Sequence, residues 1–308
     1  QPLGGITMDG IIPLYKERGM TSFACVSRLR QILKTKKIGH SGTLDPGVAG
    51  VLPICVGNAT KVVDYLMQSG KQYQGELLIG FATTTQDLDG DKIEEKVVAD
   101  EIPTSEILAA MNSLTGTIIQ IPPMYSAVKV NGKKLYEYAR AGETVERPKR
   151  QVTISKFELL SSKYDEKNKQ QRIRFNVECS KGTYIRTLVV DLARKLGYPG
   201  VMSLLTRLKS GGFTLDQTLS LDDVRDAVAT QTLQQYLYPL DYALKDYPQL
   251  TIQVAQWKKV QNGGWLSPSE LNTSEKEIVL SFDGQVKALY HFDPKNKMYK
   301  PTKMFAVN

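Results

Sequence analysis

The chain has 308 residues, with 40 lysines and arginines against 32 aspartates and glutamates, a formal net charge of +8. Hydrophobic residues at 41% and charged residues at 23% are globular values, which exclude a disordered, collagen-like or low-complexity chain. Apolar runs fall short of the roughly 20 residues a bilayer span needs and the start lacks a signal-peptide succession, so a soluble, cytoplasmic protein is expected.

The residues Gln1 to Thr7 precede a methionine and read as a cloning remnant, which places the expected native start at Met8. Thr21 and Ser22 cap a helix with Phe23, Val26, Leu29 and Leu33 on one face. A loop is expected from about Thr35 through Gly39, Gly42, Gly47 and Gly50. Beyond it Tyr73, Gly75, Leu77 and Ile79 alternate with Gln74, Glu76 and Leu78, the period of a strand with one face buried. Asp87, Asp89, Gly90 and Asp91 read as a plain acidic turn, because the spacing is wrong for a calcium loop.

Pro103 and Thr104 open a second helix carrying Ile107, Leu108, Met111 and Leu114, and Gly116 stops it. Ile173, Phe175, Val177 and Cys179 alternate with Arg172, Arg174, Asn176 and Glu178, a second half-buried strand. At Tyr184 the period changes. Ile185, Leu188, Val189, Leu192 and Leu196 follow helical spacing up to Gly197. Tyr184 and Arg186 therefore stand at a strand-to-helix junction, where side chains and free backbone N–H groups both face a ligand.

Tyr236 to Pro248 carries two prolines and loosely spaced apolar residues, which suits a domain boundary. A short helix around Val254 and Trp257 ends at Gly263 and Gly264, and strand-like runs follow at Ile278 to Phe282, Val286 to Tyr290 and Met298 to Phe305. Residues 249–308 hold eight lysines against five carboxylates, a net +3. The expected architecture is a larger α+β body over residues 8–247, followed by a small basic β-rich unit over 248–308.

Three well-separated cysteines, Cys25, Cys55 and Cys179, and two histidines, His40 and His291, support neither a disulfide framework nor a structural zinc. Chemistry is expected to run on carboxylates, hydroxyls or basic groups, and the positive balance favours a polyanionic partner. From Arg18 to Leu44 there are six basic residues, Arg18, Arg28, Arg30, Lys34, Lys36 and Lys37, and no acidic one. Asp45 breaks that run, within Gly39-His40-Ser41-Gly42-Thr43-Leu44-Asp45-Pro46-Gly47. A carboxylate in so basic a loop is expected to stay ionised, suited to an arginine fork holding it bidentately, and an ionised carboxylate is a nucleophile. On these residues alone Asp45-Pro46-Gly47 also reads as an ordinary turn.

The phrase Gly39 to Pro53, with His40, the glycine-rich loop, Asp45 and Gly50-Val51-Leu52-Pro53, resembles the signature loop of the bacterial tRNA pseudouridine synthases of the TruB type. The resemblance covers nearly the whole chain from Met8. Asp9-Gly10-Ile11 with Lys16 and Thr21-Ser22 is similar to the family's opening, and Lys71-Gln72-Tyr73 to its second motif. Pro122-Pro123-Met124-Tyr125-Ser126-Ala127 with Lys129 and Asn131-Gly132 resembles the third, and Cys179 through Arg186 the fourth. Leu205-Thr206-Arg207 before Ser210-Gly211 resembles the fifth, although Thr206 and Leu208 interrupt a stretch that is often more basic.

The resemblance implies an α+β fold whose central, mainly antiparallel mixed sheet is crossed by the active-site cleft, plus a PUA-like RNA-binding domain at the C-terminus. It implies Asp45 as the nucleophile, adding to uracil C6 or to ribose C1′. The base then detaches, rotates, reattaches through C5 and loses the C5 proton, with no cofactor and no metal. Tyr73 is implied to stack on the target uracil and take part in C5 deprotonation, Arg186 to pair with the Asp45 carboxylate, Tyr184 to be a second pocket tyrosine and Leu205 an apolar wall. His40, Lys71, Lys129 and Arg207 are expected to contact RNA, His40 beside the flipped base. Residues 124–152 are implied to be an inserted RNA-gripping element. The implied substrate is the uridine at position 55 in the T-loop of tRNA, its T-stem-loop engaged by a monomer with no membrane involved. Two other classes share parts of the pattern. A non-catalytic tRNA-binding or RNA-chaperone protein would leave Asp45 no chemical task, and a glycoside hydrolase would need a second acid, which the Asp45 motif lacks.

Overall fold

The computed structural model describes residues 8–306, so the segment read as a cloning remnant lies outside the described residues. β1 (Gly10–Lys16) leads to α1 (Ser22–Leu33), β2 (Ile38–His40), β3 (Ala49–Val56), α2 (Val63–Met67) and β4 (Lys71–Ile79). A hairpin of β5 (Phe81–Thr83) and β6 (Lys92–Glu95) precedes α3 (Thr104–Ser113) and β7 (Gly116–Gln120). β8 (Lys129–Val130), β9 (Lys133–Lys134) and α4 (Leu135–Arg140) form the next segment. Two long strands, β10 (Arg150–Asp165) and β11 (Gln170–Cys179), lead to α5 (Ile185–Lys195), β12 (Gly200–Ser210), β13 (Phe213–Thr214) and α6 (Leu221–Ala229). The last unit holds β14 (Gln249–Thr251), α7 (Val254–Val260), α8 (Pro268–Leu271), β15 (Glu277–Phe282), β16 (Gln285–Asp293) and β17 (Met298–Met304).

The body is built on one mixed sheet in the order β1-β3-β12-β4-β11-β10-β7, with β2 added on β3 and β13 on β12. Its pairings are antiparallel except one, where β3 and β12 run parallel with Thr206 opposite Ala49 and Arg207 opposite Gly50. That exception places the site. It sets β3, which follows the Asp45 loop, beside β12, which carries Leu205 and Arg207, while β4 brings Tyr73 opposite Arg207 from the other side. The approach is close enough to demand glycine: a Cβ on Gly50, at φ +130, would stand 2.2 Å from the Arg207 carbonyl oxygen. The C-terminal unit is a separate β-rich sheet in the order β14-β15-β16-β17. Among the described residues, no helix is long and apolar enough to cross a membrane.

Several local expectations change. The core-facing stripe of α1 is Ser22, Cys25, Val26 and Leu29, and Phe23 is 69% exposed. The helix is rotated because Ser22 turns inward, its hydroxyl accepting from the Leu44 N–H at 2.9 Å. The expected loop from Thr35 contains β2 and the start of β3, since Gly39 and His40 pair with Cys55 and Ile54. β4 is buried on both faces from Gly75 onward. Glu76 lies on its supposed solvent face, yet its carboxylate accepts from Arg172 Nη1 at 2.7 Å, Arg174 Nε at 3.0 Å and Ser203 Oγ at 2.7 Å. Those donors replace the water that burial removes. Leu108, expected in the core stripe of α3, is exposed. In the last unit β14 and α8 were not anticipated, although Ser267-Pro268-Ser269-Glu270 is a readable start signal: Ser267 caps α8, Pro268 follows it and Glu270 completes a capping box.

Gly50→Ala should lower the unfolding free energy by about 2 kcal/mol or more, through backbone strain and the clash with β12. Denaturant unfolding checks this, with the midpoint falling and the slope unchanged.

Candidate active site

The loop between β2 and β3 has little regular structure of its own and is held from outside. Ser41 N–H donates to the Pro53 carbonyl at 2.9 Å, which folds the loop back on β3. Ser22, at the start of α1, grips Leu44 on both sides, accepting from its N–H at 2.9 Å and donating to its carbonyl at 3.3 Å. The Pro46 carbonyl receives the Gly19 N–H at 2.8 Å and the buried Lys16 ammonium at 3.3 Å. Arg18 donates to the Gly47 carbonyl at 3.0 Å and to Thr206 Oγ1 at 2.8 Å. From beneath, Arg207 Nη2 donates to the Gly42 carbonyl at 2.8 Å and Nε to the Val51 carbonyl at 2.9 Å. Asp45 is thus presented by a loop whose carbonyls are tied to three cations from other segments.

Arg186, on the first turn of α5, faces Asp45, with Nε 3.5 Å from Oδ2. The bidentate hold expected from the sequence is not made. The two ends of the guanidinium are committed elsewhere, Nη1 to the Thr85 carbonyl at 3.0 Å and Nη2 to the Tyr125 carbonyl at 2.9 Å. The Arg186 side chain is 12% exposed and the Asp45 side chain 50%. So asymmetric a pair contributes little to stability, but it leaves a pre-oriented cation beside a carboxylate open to solvent. Both lie in a cleft of about 510 Å³ with Tyr73, Tyr184 and Leu205. Among the described residues lining this cleft, Asp45 is the one carboxylate.

The remaining predicted residues divide into those that line the cleft and those that support it. Tyr73 is buried across the ladder from Arg207 and hydrogen-bonds to its guanidinium. Burial pushes the Tyr73 phenol above its ordinary value, and the Arg207 charge works against that shift. Leu205 is buried opposite Gly75, whose missing side chain leaves room for it. Arg207, expected to contact RNA, is 1% exposed and bonded to Gly42, Val51 and Tyr73, so its guanidinium serves the loop and the tyrosine rather than a phosphate. Lys71 is half-buried in an adjoining groove, its ammonium 3.5 Å from the Ser69 carbonyl. Burial, reinforced by the nearby Arg207 charge, pushes it down to about 8. His40 ends β2 with Nδ1 buried and unpaired, and burial followed by Arg207 holds its imidazole below the usual value. Lys129 is exposed on β8.

Sequence reasoning missed several cleft-lining residues. Tyr136 and Arg140 come from α4, with the Arg140 guanidinium 5.0 Å from the Tyr136 ring centroid. Their i, i+4 spacing on a short helix was the available signal. Tyr125, Ser126 and Met202 also line the cleft. The carbonyls of Thr85 and Tyr125 that fix Arg186 carry no sequence signal, because any residue supplies one. Arg18 appeared only as a member of a basic run, and Lys16 only in the motif similar to the family's opening. Among the described residues, no cluster of His, Cys, Asp and Glu is placed to hold a metal ion.

The mixed-sheet fold recurs in known proteins. Residues 30–185 match the N-terminal domain of the TruB family pseudouridylate synthases, and residues 186–245 match the tRNA pseudouridylate synthase B C-terminal domain. The chain is 99% identical over 301 residues to tRNA pseudouridine synthase B of Limosilactobacillus reuteri (strain DSM 20016), covering 98% of this chain and 100% of that protein. It is 57% identical over 303 residues to tRNA pseudouridine synthase B of Levilactobacillus brevis, again covering 98% of this chain and 100% of the relative. A solved structure of a Cbf5-Nop10-Gar1 complex matches with a TM-score of 0.73 and 25% identity, over 96% of this chain and 85% of that one. The protein is an RNA-modifying isomerase of the pseudouridine synthase class. Within that class, the chain belongs to the TruB family.

The lowered Lys71 value has a consequence for stability. Between about pH 8 and the ordinary value of 10.5, the unfolded chain binds a proton that the folded chain has lost, so this residue makes stability rise with pH across that window. Lys71→Met should flatten the rise and should be more stable than the parent protein below pH 8. Denaturant unfolding of both proteins at neutral pH and near pH 9.5 checks the difference.

Proposed function

We propose that this chain converts uridine 55 in the T-loop of tRNA to pseudouridine, with Asp45 as nucleophile acting on a base flipped into the cleft. The observation that carries the reading is the half-exposed Asp45 carboxylate, the one acid among the described residues lining the cleft, set against a buried Arg186 that backbone carbonyls hold in place. A second acid, which glycoside hydrolysis requires, has no counterpart among the described cleft residues. tRNA as substrate is supported by the relatives at 99% and 57% identity, both tRNA pseudouridine synthases B.

The uridine leaves its stack at a cost of a few kcal/mol and enters between Tyr73 and the Leu205 wall, with Tyr184 at the rim. Asp45 adds to uracil C6 or to ribose C1′, and the N1–C1′ bond breaks. The base rotates, the C5–C1′ bond forms, the bond to Asp45 breaks to return the free carboxylate, C5 loses its proton and N1 gains one. The steps conserve atoms and need no oxidant. Tyr73 takes part in C5 deprotonation, and the Arg207 guanidinium beside its phenol favours the ionised form against the opposing effect of burial. His40, with its imidazole disfavoured as a cation, suits a site beside an uncharged base. Residues 124–152 grip the RNA through Lys129 and its basic neighbours, and residues 248–308 act as a PUA-like RNA-binding domain. The enzyme works as a monomer on the T-stem-loop.

Incubation with unmodified tRNA, followed by pseudouridine mapping at single-nucleotide resolution, should give one product site, position 55. Asp45→Asn should reduce tritium release from C5-labelled uridine in tRNA by at least about a thousandfold while RNA binding persists. Persistent release in that variant would remove Asp45 from its role, and free uracil among the products would point to hydrolysis. Arg186→Lys keeps the charge but cannot hold both carbonyls, so the rate should fall by at least about tenfold with RNA affinity little changed.

A further inference from the structure

We propose that Gln120 is a positioning residue for Arg186, acting through the backbone of Tyr184; the inference rests on the reading of Arg186 as the working partner of Asp45. Gln120 ends the edge strand β7 and is 1% exposed. Its side-chain amide makes two bonds to a single residue. Nε2 donates to the Tyr184 carbonyl at 3.1 Å, and Oε1 accepts from the Tyr184 N–H at 2.9 Å. An amide used this way imitates a neighbouring strand and satisfies one backbone donor and one backbone acceptor together.

Tyr184 is the N-cap residue of α5, and its side chain makes no capping bond. Its carbonyl also accepts from the Leu188 N–H at 3.1 Å, the first hydrogen bond of the helix. Gln120 therefore fixes the peptide from which the first turn starts, and Arg186 lies two residues along that turn. Opposite Gln120 in the β7–β10 register stands Arg150, whose guanidinium is 5.6 Å from the Tyr184 ring centroid and whose Nη1 donates to the Gly182 carbonyl at 3.4 Å. The pair holds Tyr184 by its backbone and by its ring. Beyond Gln120 the chain passes through two prolines to Tyr125, whose carbonyl accepts from Arg186. Both the start of the Arg186 helix and one of its guanidinium acceptors are thereby referred to the end of one strand. With Nε already 3.5 Å from Asp45, the ion pair has little room to lengthen.

Glutamine is the residue that fits both bonds, and its carboxylic isostere gives the test. A protonated glutamic acid keeps an acceptor and a donor in nearly the same places. Once ionised it loses the donor and sets a negative charge against the Tyr184 carbonyl; burial shifts that ionisation upward from the ordinary carboxyl range, and the Arg150 guanidinium across the ladder opposes the shift. Single-turnover tritium release from C5-labelled tRNA at saturating enzyme is measured against pH for the parent protein, Gln120→Glu and Gln120→Leu, each rate normalised to the folded fraction. RNA affinity is measured in parallel.

The ratio of the Gln120→Glu rate to the parent rate should fall by at least about tenfold from pH 5.5 to pH 8. Gln120→Leu should be slow throughout, with RNA affinity within about twofold of the parent in both variants. Ile154→Ala, a cavity in the neighbouring strand β10 outside the RNA-gripping segment, should lower the melting temperature but keep the parent rate and pH profile. A Gln120→Glu rate equal to the parent's at every pH, or a Gln120→Leu rate equal to the parent's in folded protein, overturns the inference alone. Absence of release from the parent protein overturns the reading of the site itself, and the inference with it.

Discussion

A single guanidinium underlies the site. Arg207 is 1% exposed and is bonded to the carbonyls of Val51 and Gly42 and to the Tyr73 phenol rather than to a carboxylate. Removing such a charge from water costs several kcal/mol, and here oriented backbone dipoles and a phenol offset that cost. Those contacts join β12 to β3, to the Asp45 loop and to β4. The arrangement requires β3 and β12 to approach until only Gly50 fits between them, and requires Gly42, at φ +76, to leave room for the guanidinium. Placement of Asp45, Tyr73 and Leu205 follows from that one buried cation and the parallel strand pair around it.

Positive charge in this chain consequently has two uses. The +8 balance points to a polyanion, and Lys129 is left exposed. Lys16, Arg186 and Arg207 instead turn inward and, with the exposed Arg18, donate to backbone carbonyls of the segments around Asp45. Cations suit this task because a loop rich in glycine presents many carbonyls and few side chains, and charge-assisted hydrogen bonds are the stronger kind. Asp45 is then left half-exposed beside a cation that backbone carbonyls hold in place.

The legible parts of the fold were those with a strong local period. β11 alternates cleanly and is a half-buried strand, and the change of period at Tyr184 coincides with the start of α5. The Asp45 loop was visible as a carboxylate closing a basic run, and the cleft indeed brings Asp45, Tyr73, Tyr184, Arg186 and Leu205 together. Errors arose where a distant partner overrode the local pattern. Phe23 satisfies the apolar period of α1, but Ser22 turns inward to hold Leu44 and rotates the stripe away from it. Glu76 occupies a solvent position by alternation, but two arginines and a serine from other strands bury it. Arg207 looked like an RNA contact because it is basic and lies in a resembling motif; its burial depends on strands far away in the chain.

By itself the sequence determined the chemistry on offer: one carboxylate in a basic, glycine-rich loop, tyrosines and arginines at element boundaries, and few metal ligands. It determined the elements with unambiguous periodicity and the family to which the chain belongs, because residue type and spacing are local properties. Only the tertiary structure decided which cations stay exposed and which face carbonyls. It also decided that Arg186 meets Asp45 through Nε alone, and that Gln120 sits at the root of α5. Backbone carbonyls are the same in every residue, so a bond to Thr85, Tyr125 or Gly42 leaves no trace in the amino-acid text. Such bonds exist only once strands far apart in the chain have been brought side by side.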